Sequence, residues 1–319
     1  MAAKIKAADR QLQYTFTTQR EKWTFMRKHW GLYVISIPGI FFFLIFKYVP
    51  LLGSVIAFQN YNIFRGITGS PFIGLDNFKR MFAYPEFLMI LKNTLLIGIY
   101  DLAFAFPVPI LLAILLNELR QVLYKRIVQT IVYLPHFLSW VIVGGILVGV
   151  LSPTTGFVNT VISSLGFEPI YFLGDNDYIR SILIGSGIWK DSGWGTIIYL
   201  AAIAGINPDL YEAAQIDGAG RLKQTFSITI PCILPTIMIL FLLQIGNFLD
   251  FGFERVFVFL NPLNSENGEI IDTYVYRAGL VDRQYSYTTA IGLFKSVVGL
   301  LLIVIGNTLS RRATGESLY

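Results

Sequence analysis

The sequence predicts an all-α integral membrane protein of six transmembrane helices with both termini in the cytoplasm. Three observations lead there. Of 319 residues only 14% are charged while 54% are hydrophobic, against roughly 25% charge in ordinary soluble proteins. Mean hydropathy is +0.59, which fits a chain solvated mostly by hydrocarbon. Finally, six stretches come close to the length needed to span a bilayer.

Those stretches are 31–58, 94–116, 127–151, 181–206, 232–249 and 288–309. A helix needs about 20 residues at 1.5 Å each to cross roughly 30 Å of hydrocarbon. The third stretch lies in a charge-free run from 127 to 167, and the fifth in one from 224 to 249. The others are interrupted by Lys47, by Asp101, by Lys190 and Asp191, and by Lys295.

Orientation follows from the basic residues, because Lys and Arg are retained on the cytoplasmic side. With the N-terminus inside, fourteen of the 25 fall in cytoplasmic segments, seven of them between Lys4 and Lys28. Eight fall outside: Arg65, Lys79, Arg80, Lys92, Arg180, Arg255, Arg277 and Arg283. The chain then divides into a cytoplasmic or interfacial segment 1–30, a transmembrane domain 31–309 and a cytoplasmic tail 310–319. Trp23, Met26 and Trp30 recur at helical spacing among basic residues, as in a short helix lying in the inner interface or an aromatic flank of the first span. No apolar run of signal-peptide length precedes them.

The formal charge of +5 is accounted for by basic inner loops facing anionic lipid, and nucleic acid is not implied. One cysteine, Cys232, and two histidines, His29 and His136, exclude a disulfide framework and give no metal site. His136 beside Pro135 reads as packing within a kinked span rather than as a base. No Gly-x-x-x-x-Gly-Lys-Ser/Thr loop occurs; 218–223 has glycines and a lysine without the spacing that cradles phosphate. His-Glu-x-x-His and Gly-x-Ser-x-Gly are also absent, so the chain itself reads as no enzyme. A secondary transporter would show matching halves, and no internal repeat is evident.

Between the fourth and fifth stretches lies an inner loop of unusual order. Asn207 can cap a helix with Pro208 at its first position and Asp209 in its first turn, and Gly218 can end it in a left-handed conformation. Leu210, Ala213, Ala214 and Asp217 share one face, small residues beside acidic ones, a shape suited to a partner's groove. On the residues alone it is equally a connector. Glu212-Ala213-Ala214, Asp217-Gly218-Ala219, Phe226, Ile230-Pro231 and Leu234-Pro235, however, resemble the EAA motif of permease subunits of ATP-binding-cassette importers. Residues 72–78, 133–137, 194–200 and 271–277 resemble carbohydrate-importer permeases, most similar to the LplB-like subgroup and the permease of the alginate oligosaccharide importer.

The resemblance implies a type I importer permease fold in a bacterial cytoplasmic (inner) membrane, with a coupling loop at 207–231. Its helix would dock into a cleft on a cytoplasmic ATPase, Glu212 facing a basic residue there and Gly218 setting the bend. A second permease subunit, two ATPase subunits carrying ATP and Mg, and an extracytoplasmic solute-binding protein are implied, with an oligosaccharide carried by alternating access. This chain would bind no cofactor. The alternatives are a permease for a non-sugar solute, or a channel or receptor whose inner loop docks a regulator.

Ionisable groups within spans are costly and face a protein interior or a water-filled cavity. Asp101, Asp191 and Lys295 lie about 10–15 Å below the outer ends of their stretches at 1.5 Å per residue. Gln244 and Asn247 share a face of the fifth by their i, i+3 spacing. Together with Trp140 and Trp194 as aromatic platforms, Gln244, Asn247 and Asp191 are candidates for a substrate path. Lys190, Asp191 and Lys295 have a competing reading as mutual partners that hold helices together, and both tryptophans as packing residues. Reporter fusions test the topology: one after residue 6 is expected to be active inside and one after residue 265 outside, and the reverse result would invert it.

Overall fold

The computed structural model describes residues 19–314, with side chains at 19 and 23–311. Lys4, Lys6 and Arg10 of the predicted basic tail, the side chains of Arg20, Lys22 and Arg312, and residues 315–319 lie outside the described residues. Among those described there is no β-strand, only one antiparallel bridge between Gln59 and Phe72. The chain forms two compact units, Met1–Val55 and Ile56–Tyr319.

In the first unit, α1 (Gln19–Lys28) ends at His29, whose Nδ1 meets the Phe25 carbonyl at 2.9 Å. Trp23 and Trp30 are 65% and 68% exposed, leaving the aromatic face beside Arg27 and Lys28 open to an interface. The apolar stretch α2 (Trp30–Phe58) follows and ends three residues past this unit, with nearly all its large side chains exposed, as lipid contact allows.

In the second unit the main helices are α3 (Pro85–Glu118), α4 (Val122–Phe137), α5 (Trp140–Val150), α6 (Asn176–Ala204), α7 (Asp209–Ile216), α8 (Arg221–Gly246), α9 (Phe253–Phe257), α10 (Ile271–Tyr276) and α11 (Tyr285–Thr314). Among the described residues, α2, α3, α8 and the Tyr285–Arg311 part of α11 are long and apolar enough to cross a membrane. A fifth span results if α4 and α5 are taken together. The fourth predicted stretch falls in α6, 29 residues long but polar in its middle, at Lys190, Asp191 and Ser192.

The third predicted stretch, 127–151, is not one helix: α4 and α5 meet at 105°. Pro135 sits in the 3₁₀ turn Leu134–Phe137 that closes α4, and Leu138 and Ser139 are extended. Ser139 then caps α5, its Oγ accepting from the Ile142 N–H at 3.3 Å. A charge-free run read by hydropathy alone does not register this break.

Three wide π turns have one local cause. They span Leu44–Tyr48, Asp101–Ala105 and Thr225–Thr229, and Pro50, Pro107 and Pro231 each follow six residues after the turn begins. Proline cannot donate to the carbonyl four residues back and its ring crowds it. The turn widens instead, so that the Phe106 N–H reaches the Asp101 carbonyl at 2.9 Å.

Two apolar clusters bracket the middle of this unit. One joins Ile97 of α3 with Ile179, Leu183 and Ile184 of α6 and Val256 of α9. The other joins Ala113 of α3 with Tyr199 and Ile203 of α6 and Ile233 of α8. Between them α3 carries its π turn and α6 a run of small and polar residues. Close packing of α6 depends on Gly193: a Cβ there would stand 2.0 Å from the Val132 carbonyl oxygen of α4. Gly193→Val is expected to cost about 1–3 kcal/mol, measured as loss of intact protein on heating in detergent. Gly185→Ala, with nothing within 4 Å of the new Cβ, is expected to leave stability equal or higher.

Candidate functional site

α7 begins at Asp209, one residue later than predicted, yet Asn207 still caps it, Oδ1 accepting from the Asp209 N–H at 3.1 Å. At its other end Gly218 has φ +74°. Its N–H donates to the Gln215 carbonyl at 3.0 Å and that of Ala219 to the Ala214 carbonyl at 2.8 Å, the paired bonds of a glycine-terminated helix. Glu212, Ala213, Asp217 and Gly218 are exposed, while Ala214 and Ala219 are half-buried. Tyr211 turns the other way, its hydroxyl 2.9 Å from Thr229 Oγ1 of α8. Ile216 at the end of α7, and Leu222 and Phe226 in the first turns of α8, are 87%, 77% and 68% exposed.

In the interval between the two apolar clusters is a cavity of about 360 Å³, walled by α3, α6, α8 and Arg255 of α9. The structure brings Asp101, Asp191, Gln244 and Asn247 together on its lining. Gln244 and Asn247 are exposed, and Asn247 Nδ2 also donates to the Leu243 carbonyl at 3.2 Å. Trp140, Trp194, Lys190 and Lys295 are not among the lining residues.

Each of those four has another occupation. Lys190 is buried, donating to the His136 carbonyl at 2.7 Å, 3.7 Å from Asp191 Oδ1 and 5.5 Å from the Trp140 ring centroid. Trp140 also packs on the Ile97–Val256 apolar cluster, and the Lys190 ammonium occupies its face. Trp194 stacks on the His136 ring at 4.7 Å, 7° from parallel, and His136 Nδ1 lies 3.0 Å from Asp191 Oδ1. Lys295 meets neither Asp191 nor Lys190. It contacts Asp272 Oδ1 at 2.5 Å, with Asp250 Oδ2 at 3.8 Å.

The residue the sequence reading missed is Arg255, counted with the outer-loop cations. It is buried, and its Nη1 and Nη2 donate to Asp101 Oδ2 and Oδ1 at 2.7 and 2.9 Å. Nε and Nη2 also donate to the Leu183 carbonyl at 3.2 and 2.7 Å. Gly187 makes room: a Cβ there would stand 2.6 Å from Nη2. The signal in the sequence is Asp101 itself, since a carboxylate inside an apolar span requires a cation; spacing does not say which one.

Outside the spans, Arg277 is held protonated more firmly than usual by the hydrogen bonds it donates to Glu269, at 2.9 and 3.0 Å, against the cost of its partial burial. Arg180 joins Asn93 and Asn267, each at 2.8 Å. These bonds tie α3, α6 and the segment before α10 above the cavity.

A family model, the binding-protein-dependent transport system inner membrane component, matches residues 94–315. The polygalacturonan/rhamnogalacturonan transport system permease protein YteP of Bacillus subtilis (strain 168) is 50% identical over 288 residues, covering 90% of each chain. Protein LplB of the same organism is 44% identical over 317 residues, 99% of this chain and 97% of that one. Among solved structures, a bacterial alginate ABC transporter in complex with an alginate pentasaccharide-bound periplasmic protein is 43% identical to this chain. It has a TM-score of 0.86 and covers 93% of this chain and 99% of its own. The chain belongs to this family: it has the all-helical type I permease fold and is the inner-membrane permease component of a sugar or oligosaccharide ABC importer.

The Asp101–Arg255 pair gives an internal test of how the cavity is held. Asp101→Ala leaves a buried guanidinium uncompensated and is expected to cost about 3–5 kcal/mol, whereas replacing both residues together, Asp101→Asn with Arg255→Gln, costs far less. Recovery of intact protein after mild heating measures both, and equal losses would mean that the pair is not what holds α9 against α3.

Proposed function

We propose that this subunit carries an acidic oligosaccharide into the cytoplasm by alternating access, with α7 as the element that receives movement from a partner ATPase. The observation that carries the reading is the pairing of an exposed, sharply capped α7 with a polar cavity walled by the two helices that flank it. ATP and Mg belong to the two ATPase subunits, and a second permease subunit completes the route. An extracytoplasmic solute-binding protein delivers the sugar, as a periplasmic protein accompanies the alginate transporter.

The chemistry supports each part. Glu212 and Asp209 lie in the first turn of α7 and are exposed, so a cationic groove would receive them, and the exposed Ile216 beside them supplies apolar contact. In the cavity the Gln244 and Asn247 amides offer donors and acceptors of the kind sugar hydroxyls pair with. Asp191 adds an acceptor whose charge is already answered by Lys190 and which His136 Nδ1 meets at 3.0 Å. The acidic class of the sugar is argued from the polygalacturonan and alginate named for two relatives.

Glu212→Lys and Gly218→Val are expected to leave a folded membrane protein that no longer drives uptake. Charge reversal against a basic partner commonly costs about 2–5 kcal/mol of binding, and valine is poorly tolerated at φ +74°. Oligogalacturonide uptake and copurification of the ATPase subunits are the measurements. Survival of both in both variants would remove α7 from the coupling role.

A further inference from the structure

Arg255 stands out among the cavity residues by its charge. Of the described residues that line the cavity it is the sole cation, beside two carboxylates, Asp101 and Asp191. The charge of Asp191 is answered by the Lys190 ammonium at 3.7 Å, so it does not bar an anion. In the topology predicted from the basic residues α3 and α6 both run inward. The lining begins at Asp101 on α3 and at Gly187 on α6, the two places that Arg255 touches. Arg255 therefore forms the outer end of the cavity, where a sugar arriving from outside would enter.

Its hydrogen bonds leave one opening. A guanidinium has five N–H groups. Nε, both N–H groups of Nη2 and one of Nη1 are engaged by Asp101 and Leu183. The second N–H of Nη1 has no acceptor among the described residues. Asp101 itself presents its carboxylate to the fork of the guanidinium in the bidentate geometry that any carboxylate can adopt.

We propose that Arg255 is the residue that reads the acid group of the substrate, offering its open Nη1 N–H to a uronate carboxylate as the sugar passes while Asp101 keeps the fork. This rests on the reading of the cavity as the sugar's route. Asp101 and Arg255 stay paired throughout, so neither is left as a bare buried charge. A neutral sugar offers the Nη1 N–H no charged acceptor, and the contact is weaker.

The test uses the assembled transporter in proteoliposomes with its binding protein, and compares uptake of trigalacturonate with that of its fully methyl-esterified form, which has the same backbone without the charge. Uptake is normalised to assembled complex, and the binding protein's own preference cancels between variants. In Arg255→Lys, which keeps the charge but loses the free Nη1 N–H, the acid-to-ester uptake ratio is expected to fall about tenfold relative to the unmodified chain. The Asp101→Asn, Arg255→Gln double variant leaves no unpaired charge and is expected to show the same fall, which covers poor assembly of the single variant. A ratio unchanged in these variants, with both sugars reduced alike, would overturn the role of Arg255. Gln244→Leu with Asn247→Leu separates the underlying reading: unchanged uptake of both sugars would remove the cavity from the route, whatever Arg255 does.

Discussion

A carboxylate cannot lie bare in an apolar bundle, and the shape of the cavity follows from how Asp101 is answered. The answer comes from α9, a five-residue helix beyond the end of α8, which brings Arg255 inward between α3 and α6. That position needs Gly187 to be without a side chain and the Leu183 carbonyl to accept. Val256, the next residue, is buried in the outer apolar cluster. One side of α9 thus anchors in hydrocarbon contacts while the other supplies the charge, and the cavity lies directly beneath.

The prolines act on the same place by backbone geometry. Pro107 widens the turn that starts at Asp101, so the carboxylate sits on the one turn of α3 where the helix departs from regular spacing. Pro109, in the regular turn that follows, lends its carbonyl to Thr196 of α6 at 3.3 Å. On α8 the equivalent event occurs at Thr229, which holds Tyr211 of α7. Proline-induced irregularities therefore stand at both ends of the polar system, one at the cavity and one at the inner loop.

Much of this was legible from sequence because it is written in local chemistry. Long apolar runs announce helices, and Asn207 with Gly218 delimits α7 to within a residue. Gln244 and Asn247 reach one wall because i, i+3 spacing fixes a helical face. What could not be read was set by tertiary contact. The bend after Phe137 depends on two extended residues inside an unbroken hydrophobic run. Lys295 finds Asp272 and Asp250 rather than the neighbours suggested by depth, since depth along a span says nothing about which helices adjoin. Arg255 was hidden by its surroundings in sequence, an outer segment with Glu254 beside it, where a cation is ordinarily solvated.

The arrangement also links α7 to the cavity through side-chain bonds and shared helices. α7 has no apolar core of its own; it hangs between α6 and α8, whose outer portions are two of the cavity's walls. Tyr211 fixes it to α8 through Thr229, and Arg221 at the start of α8 binds Glu118 at the end of α3 at 2.7 Å. All three walls are therefore fastened near α7 to one loop. At their other ends α3 and α6 are joined by Arg180 through Asn93, and by Arg255 through Asp101 and Leu183. Between these two fastenings α6 meets its neighbours across glycines, and an added Cβ would stand 2.0 Å from the Val132 carbonyl oxygen at Gly193 and 3.1 Å from Pro109 at Gly195. The cavity therefore lies where α6 lacks side chains, between the Asp101–Arg255 ion pair at one end and the α7 loop at the other, so its width is set by backbone approach and by that pair rather than by interlocked apolar side chains.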